Sequence, residues 1–226
     1  MFDDASTRLY PPPMQVHIVA DMICPWCYVG KRQFEQALAK RPDLEPTVRW
    51  LPFQLNPDMP PEGMDRVDYL AGRFGAQAVQ QMDAQMTSLA ESLGLEIHFD
   101  RIKRVPNTVA AHCLARWADE EGLQHQAIQA LFEANFVKGV DISDTEVLCG
   151  VAADLGMDPD VVRERLDQGI DRDKIIEEDQ MIRGMGVQGV PCTIIDRKFV
   201  ISGAQGADLF AQALDRAKSD EAAVTQ

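Results

Sequence analysis

Two cysteines separated by two residues are the part of this sequence best suited to chemistry. Cys24 and Cys27 stand in the stretch 21–27, which reads Asp-Met-Ile-Cys-Pro-Trp-Cys. A three-residue offset in the first turn of a helix brings two α-carbons within disulfide range. Such a pair can exchange electrons with another disulfide, because one thiolate attacks and the second thiol resolves the mixed disulfide. The spacing therefore predicts a redox-active dithiol.

The flanking residues predict a strand before the pair and a helix after it. Residues 16–20 are nearly continuous in apolarity and rich in β-branched side chains, as in a strand buried on both faces. After the pair, apolar residues recur at helical spacing. Pro25 suits the first helical position, because it has no N–H group to leave unpaired there. Cys24 then becomes the N-cap residue of the helix.

The N-cap position assigns different roles to the two sulfurs. The helix dipole and the free amides of the first turn favour a thiolate on Cys24. Cys27 lies one turn further on, on the apolar stripe that packs against the core. We therefore expect Cys24 to be an exposed attacking sulfur and Cys27 a protected resolving sulfur.

Two other interpretations of the pair are weaker. A structural zinc site needs four ligands, and the other cysteines, Cys113, Cys149 and Cys192, stand singly with no His or Cys at ligand spacing. Inert packing would bury Cys24, whereas a cap position predicts exposure. A Cys-x-x-Cys joined to a strand and a helix is typical of thioredoxin-like proteins. We expect no metal and no organic cofactor.

Composition narrows the classes of partner. The chain has 226 residues and a formal net charge of −14, which disfavours nucleic acid and anionic membranes as partners. Its first residues lack the basic and apolar segments of a secretory leader, and no later run is apolar enough to span a bilayer. We expect a cytoplasmic protein. In that reducing compartment an odd number of cysteines, five, is not a structural disulfide framework.

The periodicity along the chain predicts an α/β fold in two separated pieces. Strand, helix and strand patterns fill residues 14–59, and a hairpin and a helix fill 187–218. Together they predict a thioredoxin-like domain, βαβ plus ββα. Residues 60–186 form helix after helix without a strand, which predicts a large all-helical insertion. We expect loose tails at 1–13 and 219–226.

One helix of the insertion carries a stripe rich in methionine. Residues 76–93 place Val79, Met82, Met86, Leu89 and Leu93 on one face. Methionine fills irregular gaps in hydrophobic cores. We therefore interpret this stripe as core packing and not as a substrate groove.

Several segments together resemble the DsbA-like branch of the thioredoxin superfamily, and within it the cytoplasmic FrnE-like proteins. The resemblance covers nearly the whole chain, from residue 14 to about 217. The most specific segments are 21–30 and 186–191, and their order and separation match the family. The other matching segments are 52–57, 107–108 with 111–112, and 201–205.

The resemblance implies further site residues. It implies a cis peptide bond between Val190 and Pro191, which places their loop against the dithiol so that the Val190 backbone can pair with a bound polypeptide. Sequence alone gives an X-Pro bond only about a 5% chance of being cis. Asn107 matches a family position that lines the cleft, although an N-cap role explains it equally well. Pro25 and Trp26, between the cysteines, offer an apolar face to a substrate.

Two further residues near the dithiol have open roles. Cys192 directly follows Pro191, where related proteins commonly carry a small or aromatic residue. It could form an alternative disulfide with Cys24 or react with glutathione, but a buried and inert strand cysteine is the more common case. Asp21 fits either a cap of the turn or a proton-transfer group.

These observations predict a thiol-disulfide oxidoreductase that acts on protein, peptide or small thiol substrates, with glutathione as one candidate partner. An alternative is a glutathione-dependent isomerase or transferase, as in 2-hydroxychromene-2-carboxylate isomerase and the kappa-class transferases. Those families usually carry serine at the position of Cys24 and no partner at Cys27, so the dithiol argues against them. A second alternative is a redox-sensing or chaperone-like binding module.

Overall fold

The strands of the central sheet come from both ends of the chain. The computed structural model describes residues 14–224, so the tail predicted at 1–13 lies outside the described residues. The sheet has the order β2-β1-β5-β6. β1 (Gln15–Ala20) pairs in parallel with β2 (Thr47–Pro52) and antiparallel with β5 (Cys192–Ile195). β6 (Phe199–Ser202) completes the hairpin with β5. The predicted thioredoxin-like α/β fold is confirmed.

The hairpin turn has the geometry that its strands require. Asp196 and Arg197 both adopt left-handed conformations, with φ of 49° and 57°. The Lys198 N–H donates to the Ile195 carbonyl at 3.0 Å across these two residues, which closes a tight turn between the strands. The Asp196 carboxylate also accepts a hydrogen bond from the backbone N–H of Gln15, at 2.7 Å. The hairpin is thereby fixed to the first strand of the sheet.

Two helices cover one face of the sheet. α1 (Pro25–Ala39) is the crossover between β1 and β2, and α9 (Ala207–Val224) follows the hairpin. Phe34 of α1 and Phe210 of α9 pack edge to face, with ring centroids 5.8 Å apart. α9 continues to Val224, so the prediction of a loose tail from 219 is wrong for residues 219–224. The alanines and glutamate of this segment are strong helix formers, which allows the helix to continue.

Residues between the two halves of the sheet form the predicted helical insertion, with one addition. Two very short strands, β3 (Met64–Asp65) and β4 (Arg104–Val105), pair as an antiparallel ribbon. Two residues are too few to give a strand pattern in the sequence. The helices are α2 (Arg66–Phe74), α3 (Ala76–Ser92), α4 (Val109–Glu120), α5 (Gln124–Glu133), α6 (Thr145–Asp154), α7 (Pro159–Asp167) and α8 (Arg172–Gly184), with a π-helical segment at Ala134–Lys138.

The insertion and the sheet share one hydrophobic core. Tyr28, in the helix of the dithiol, stacks on Phe132 and Phe136 of the insertion, with ring centroids 5.2 and 5.8 Å apart. These rings belong to the same buried cluster as Val16 and Ile18 of β1. The insertion is therefore packed directly against the helix that carries the cysteines. Within residues 14–224, no helix is both long and apolar enough to cross a bilayer.

A smaller cluster lies on the opposite face of the sheet. Val19, Phe53, Ile182 and Cys192 form it. The guanidinium of Arg183 stacks on the Phe53 ring at 3.9 Å and pairs with Asp179 at 2.9 Å. α8 therefore supports the end of β2, which lies next to the dithiol loop.

Candidate active site

The dithiol lies where β1 gives way to α1. Pro25 is the first residue of α1 and Cys24 is its N-cap, as the sequence predicts. The backbone N–H of Cys27 donates to the Cys24 carbonyl at 3.0 Å, which places the two residues one turn apart. Both are free thiols. Among residues 14–224, no His, Cys, Asp or Glu side chains gather in a group of three or more that could hold a metal.

Cys27 has the environment expected of a protected sulfur. Its exposed fraction is 0%. Burial raises the pKa of the Cys27 thiol well above its ordinary value, and the neighbouring Cys24 sulfur and the charge of Asp21 raise it further. At neutral pH Cys27 therefore holds its proton until a base or a nearby reaction removes it.

The prediction that Cys24 is exposed is wrong. Only 3% of its surface is accessible. Its Sγ atom lies 3.7 Å from the carbonyl oxygen of Val190, to which the thiol donates a weak hydrogen bond. The Val190 carbonyl covers Cys24 across 166 positions of the chain, a long-range contact that could not be read from the local sequence. Cys24 is reached instead through a cavity that it lines.

The loop over Cys24 follows the family pattern. The Val190–Pro191 peptide bond is cis, as the resemblance implies. Gly30 of α1 faces this proline, and a Cβ atom placed on Gly30 would lie 3.0 Å from Cγ of Pro191. The absence of a side chain at Gly30 is what lets the loop approach α1 so closely.

A Gly30→Val substitution tests this approach. We expect the larger side chain to displace the Pro191 loop, to lower the free energy of unfolding by about 1–3 kcal/mol and, because the Val190 carbonyl then covers Cys24 less closely, to speed the labelling of Cys24 by a small thiol reagent. Gly150→Val is the matched control, because nothing lies within 4 Å of a Cβ atom built on that helical glycine. Urea unfolding and the rate of thiol labelling measure both effects. Equal stability and reactivity of the two variants would contradict the expected crowding.

Asp21 is buried directly beneath the dithiol loop. Its exposed fraction is 0%. One carboxylate oxygen accepts a hydrogen bond from Leu55 N–H at 2.7 Å, and the other lies 3.4 Å from Ile23 N–H. Asp21 thus caps the turn that leads to Cys24 and ties it to the end of β2. Burial raises the pKa of this carboxyl to about 7, even though these hydrogen bonds act in the opposite direction. The structure makes it a cap that also titrates near neutrality.

His112 is a neighbour of Asp21 that we did not predict as a site residue. Its Nε2 atom lies 3.2 Å from the Phe53 carbonyl and 3.8 Å from the Asp21 carboxylate. Burial lowers the pKa of His112 to about 4, so the ring is neutral at pH 7. The only signal for it in the sequence is its place in the matching segment 111–112.

A cavity of about 610 Å³ opens beside Cys24. Pro25 and Val190 line it, and so does Trp26, whose side chain is 49% exposed. The interpretation of the methionine stripe as core packing is confirmed only in part: Met86 is buried in the main core and Leu93 packs against it. The exclusion of a groove is wrong, because the same helix also forms part of the opposite wall of the cavity. The apolar wall includes Leu70, Phe74, Met82, Met86 and Leu89.

Asn107 is not among the residues that line this cavity, where the resemblance places it, and the N-cap of α4 is Thr108. The Asn107 side-chain amide donates to the Met59 carbonyl at 2.7 Å, and its side-chain oxygen accepts from Val109 N–H at 3.1 Å. Both contacts fix the entry into α4. Asn107 therefore holds the start of α4 in position. Val105 and Pro106, which precede it in the chain, line the cavity.

Cys192 lies on the far face of the sheet from the main core. It is opposite Val19 in the ladder and packs with Phe53 and Ile182, whereas Cys24 and Cys27 belong to the main core. Burial raises the pKa of the Cys192 thiol. A buried thiol that keeps its proton is a poor nucleophile.

Disulfide mapping tests the role of Cys192. We expect mass spectrometry of the oxidised protein to find Cys24 joined to Cys27 and Cys192 still free. A Cys192→Ser variant should form the same Cys24–Cys27 disulfide. A disulfide between Cys24 and Cys192 would restore the alternative pairing as a real reaction of this site.

The comparisons with known proteins agree with this fold. A family profile described as the DSBA-like thioredoxin domain matches residues 15–215. The uncharacterised protein YwbO of Bacillus subtilis (strain 168) is 31% identical over 207 residues, which cover 89% of this chain and 96% of YwbO. The crystal structure of a probable DsbA oxidoreductase, SCO1869 of Streptomyces coelicolor, is 31% identical with a TM-score of 0.83, over 91% of this chain and 90% of SCO1869.

Two more distant structures share the fold. A 2-hydroxychromene-2-carboxylate isomerase has a TM-score of 0.71 at 16% identity, over 94% of this chain and 100% of the isomerase. The cytosolic disulfide reductase DsbM of Pseudomonas aeruginosa, in a structure with GSH, has a TM-score of 0.65 at 20% identity, over 89% of this chain and 98% of DsbM. At such identities the likeness shows the fold alone.

Proposed function

The chain belongs to the DSBA-like thioredoxin domain family, and from this premise we propose that it is a thiol-disulfide oxidoreductase that works through Cys24 and Cys27. The observation that carries the proposal is the pair of free thiols one helical turn apart, with the first lining a cavity and the second fully buried. The N-terminal end of α1 supports the first sulfur as a nucleophile, because that end of a helix favours a negative charge.

The reaction follows from the arrangement of the two sulfurs. The Cys24 thiolate attacks one sulfur of a substrate disulfide, the substrate S–S bond breaks, and one substrate thiolate leaves. Cys27 then attacks the Cys24 sulfur, which releases the second substrate thiolate and forms the Cys24–Cys27 disulfide. Two electrons pass from the dithiol to the substrate. The reverse sequence oxidises a substrate dithiol.

Asp21 is suited to remove the proton of Cys27 during the second step. Cys27 is a poor nucleophile while it keeps its proton, and its pKa is raised by burial. A carboxyl group whose pKa lies near 7 can both accept and release a proton at neutral pH. The buried and neutral His112 beside it adds no competing charge.

We propose that the enzyme is cytoplasmic and acts mainly in the reducing direction, because a cytoplasmic thiol pool keeps such a pair reduced. In that direction a thiol must regenerate the dithiol, and glutathione is the first candidate. DsbM, which shares the fold, was captured with GSH. Peptides, proteins and small disulfides are the substrates to be compared.

A titration in glutathione redox buffers tests the proposal. We expect a reversible two-electron transition between dithiol and disulfide, followed through the tryptophan fluorescence of the protein, to which Trp26 between the two cysteines contributes, and checked by acid trapping of the free thiols. Absence of any Cys24–Cys27 disulfide across oxidising buffers would overturn it. Failure to reduce insulin despite a normal transition would favour the alternative of a redox-sensing or chaperone-like module.

A further inference from the structure

The charged groups of the cavity bear on which substrates it can accept. Its walls are mainly apolar, so each charged side chain that reaches it has a large influence on binding. Three guanidinium groups line it, those of Arg66, Arg73 and Arg104, together with one carboxylate, Asp83.

Arg66 and Arg104 are occupied by the fold itself. The Arg66 guanidinium contacts both carboxylate oxygens of Asp83, at 2.7 and 2.9 Å. Arg104 donates to the backbone carbonyls of Glu62 and Gly63 and lies 3.6 Å from the Asp141 carboxylate. These contacts hold the short ribbon and the helix α3 in place, and they leave little charge for a ligand.

Arg73 differs from both, because its partners are uncharged. Its Nη1 atom donates to the Tyr69 hydroxyl at 2.9 Å and to the Asn56 side-chain oxygen at 3.3 Å. Among the side chains that the structure describes, those of residues 14–220, no carboxylate lies within ion-pair distance of Arg73. With 36 acidic residues against 22 lysines and arginines, this chain has carboxylates in excess. Arg73 lies in the cavity wall and has no carboxylate partner, so its guanidinium is available to an external anion.

Arg73 is also held in a fixed relation to the dithiol. The Tyr69 hydroxyl donates to the Asn56 side-chain oxygen at 2.7 Å, so the three side chains form one network. Asn56 follows Leu55, whose N–H group donates to the Asp21 carboxylate under the dithiol loop. The helix α2 that carries Arg73 is thereby tied to the loop that carries Cys24.

We propose that this cavity binds a thiol or disulfide substrate that has an apolar, preferably aromatic, body and a carboxylate, and that Arg73 binds the carboxylate. The inference rests on the proposed function and adds the class of substrate. The apolar walls take up the body of the substrate, and a guanidinium matches a carboxylate through two parallel hydrogen bonds. A cavity of about 610 Å³ lies in the range of sites for small molecules.

A small disulfide and a peptide can both present this chemistry. An aromatic disulfide with ring carboxylates does so directly. A cystine peptide with phenylalanine and glutamate beside its cysteine does so through two side chains. The probe 5,5′-dithiobis(2-nitrobenzoate) represents the first, and its uncharged counterpart is 4,4′-dithiodipyridine.

Both aromatic probes report the same two steps. Cys24 attacks one probe sulfur, the probe S–S bond breaks, and one arylthiolate leaves. Cys27 then displaces the second arylthiolate from Cys24, and the Cys27 proton passes to Asp21 and from there to solvent. Two electrons go from the dithiol to the probe, and each released thiolate, or the thione in the case of the pyridine, is measured by its absorbance.

The experiment compares the wild-type protein with Arg73→Gln in stopped-flow measurements of the first step. We expect the variant to react about ten-fold more slowly with the dicarboxylate probe, as for the loss of one charge-assisted contact. We expect its rate with 4,4′-dithiodipyridine to stay within about two-fold of wild type, because no carboxylate is involved. Arg73→Lys should recover part of the loss, since it restores the charge without the planar geometry.

Arg216→Gln is the matched control for net charge. Arg216 stacks on Phe199, at the far strand of the sheet, and takes no part in the cavity. Its rates with both probes should equal those of the wild type. The peptide substrates are a cystine peptide with Phe and Glu beside each cysteine and the same peptide with Gln in place of Glu. Both are measured with the wild-type protein and with Arg73→Gln.

The outcomes separate this inference from the proposed function. Equal slowing of both aromatic probes by Arg73→Gln, or no slowing of any carboxylate probe, overturns the carboxylate site. Dependence on Arg73 with the dicarboxylate probe assigns the site to small molecules, and dependence with the Glu peptide alone assigns it to polypeptides. Reaction of the probes without any contribution from Cys24 would instead overturn the oxidoreductase proposal.

Discussion

The Cys24→Ser variant is expected to lose disulfide reduction completely, to the level of uncatalysed thiol exchange. A serine hydroxyl does not ionise at neutral pH, so no nucleophile would remain at the N-terminus of α1. Cys27 cannot replace it, because it is fully buried and its pKa is raised by that burial. Reduction of insulin by glutathione, catalysed by the purified variant, measures the loss.

The Cys27→Ser variant is expected to fail at a different step. Cys24 still attacks, but nothing within the protein resolves the mixed disulfide, so a covalent complex accumulates and turnover falls at least about a hundred-fold. Non-reducing electrophoresis and intact mass measure the complex. Cys149→Ser is the control, since that thiol lies in α6, and it should retain turnover.

The same variant separates the two enzyme classes. Full turnover of Cys27→Ser in a glutathione-dependent assay with a small electrophile would favour the isomerase or transferase alternative, which needs one nucleophile at most. The similarity between this chain and the structure of 2-hydroxychromene-2-carboxylate isomerase is a similarity of fold alone.

The Asp21→Asn variant is expected to change how stability depends on pH. In the unfolded chain an aspartate releases its proton at about pH 3.9, whereas in the native protein burial raises the Asp21 pKa to about 7. Between these values the native state binds more protons than the unfolded state. The free energy of unfolding therefore falls as pH rises through this window. The whole loss of stability, at most about 4 kcal/mol, is present above pH 7.

An uncharged amide at position 21 removes this dependence. We expect Asp21→Asn to gain stability relative to the wild type as pH rises from 5 to 8, and to resolve mixed disulfides more slowly because it accepts no proton from Cys27. Urea unfolding of the reduced proteins at several pH values measures the first effect. Asp208→Asn, which makes the same charge change on an exposed residue, should show no such gain. Parallel curves for wild type and Asp21→Asn would refute the shift.

Local patterns predicted the elements that hold the dithiol. Pro25 marked the first residue of α1 and thus the cap position of Cys24, because the proline lacks an N–H group. The strand patterns within 187–218 marked the hairpin, whose turn the structure places at Asp196 and Arg197. Both features depend on residues that are neighbours in the chain, so their signals are local.

The burial of Cys24 and the lining of the cavity depend on contacts between distant parts of the chain. The Val190 carbonyl covers Cys24, and the helices α2 and α3 supply the opposite wall. A methionine stripe has the same spacing whether it faces a core or a cavity, so periodicity could not distinguish these cases. Arg73 gave no signal for a related reason. Its lack of a carboxylate partner is a property of the folded arrangement.

The pairing of Val19 with Cys192 has a consequence for the synthesis of this protein on the ribosome. The third and fourth strands of the sheet, together with the loop that covers Cys24, emerge from the ribosome long after β1 and the dithiol have emerged. Long-range pairing of this kind forms slowly, and incomplete chains expose surface that the finished protein buries. Until the β5–β6 hairpin docks, the Cys24 sulfur of the nascent chain lacks the cover of the Val190 carbonyl. Chaperones and small thiols therefore have their easiest access to Cys24 during this interval.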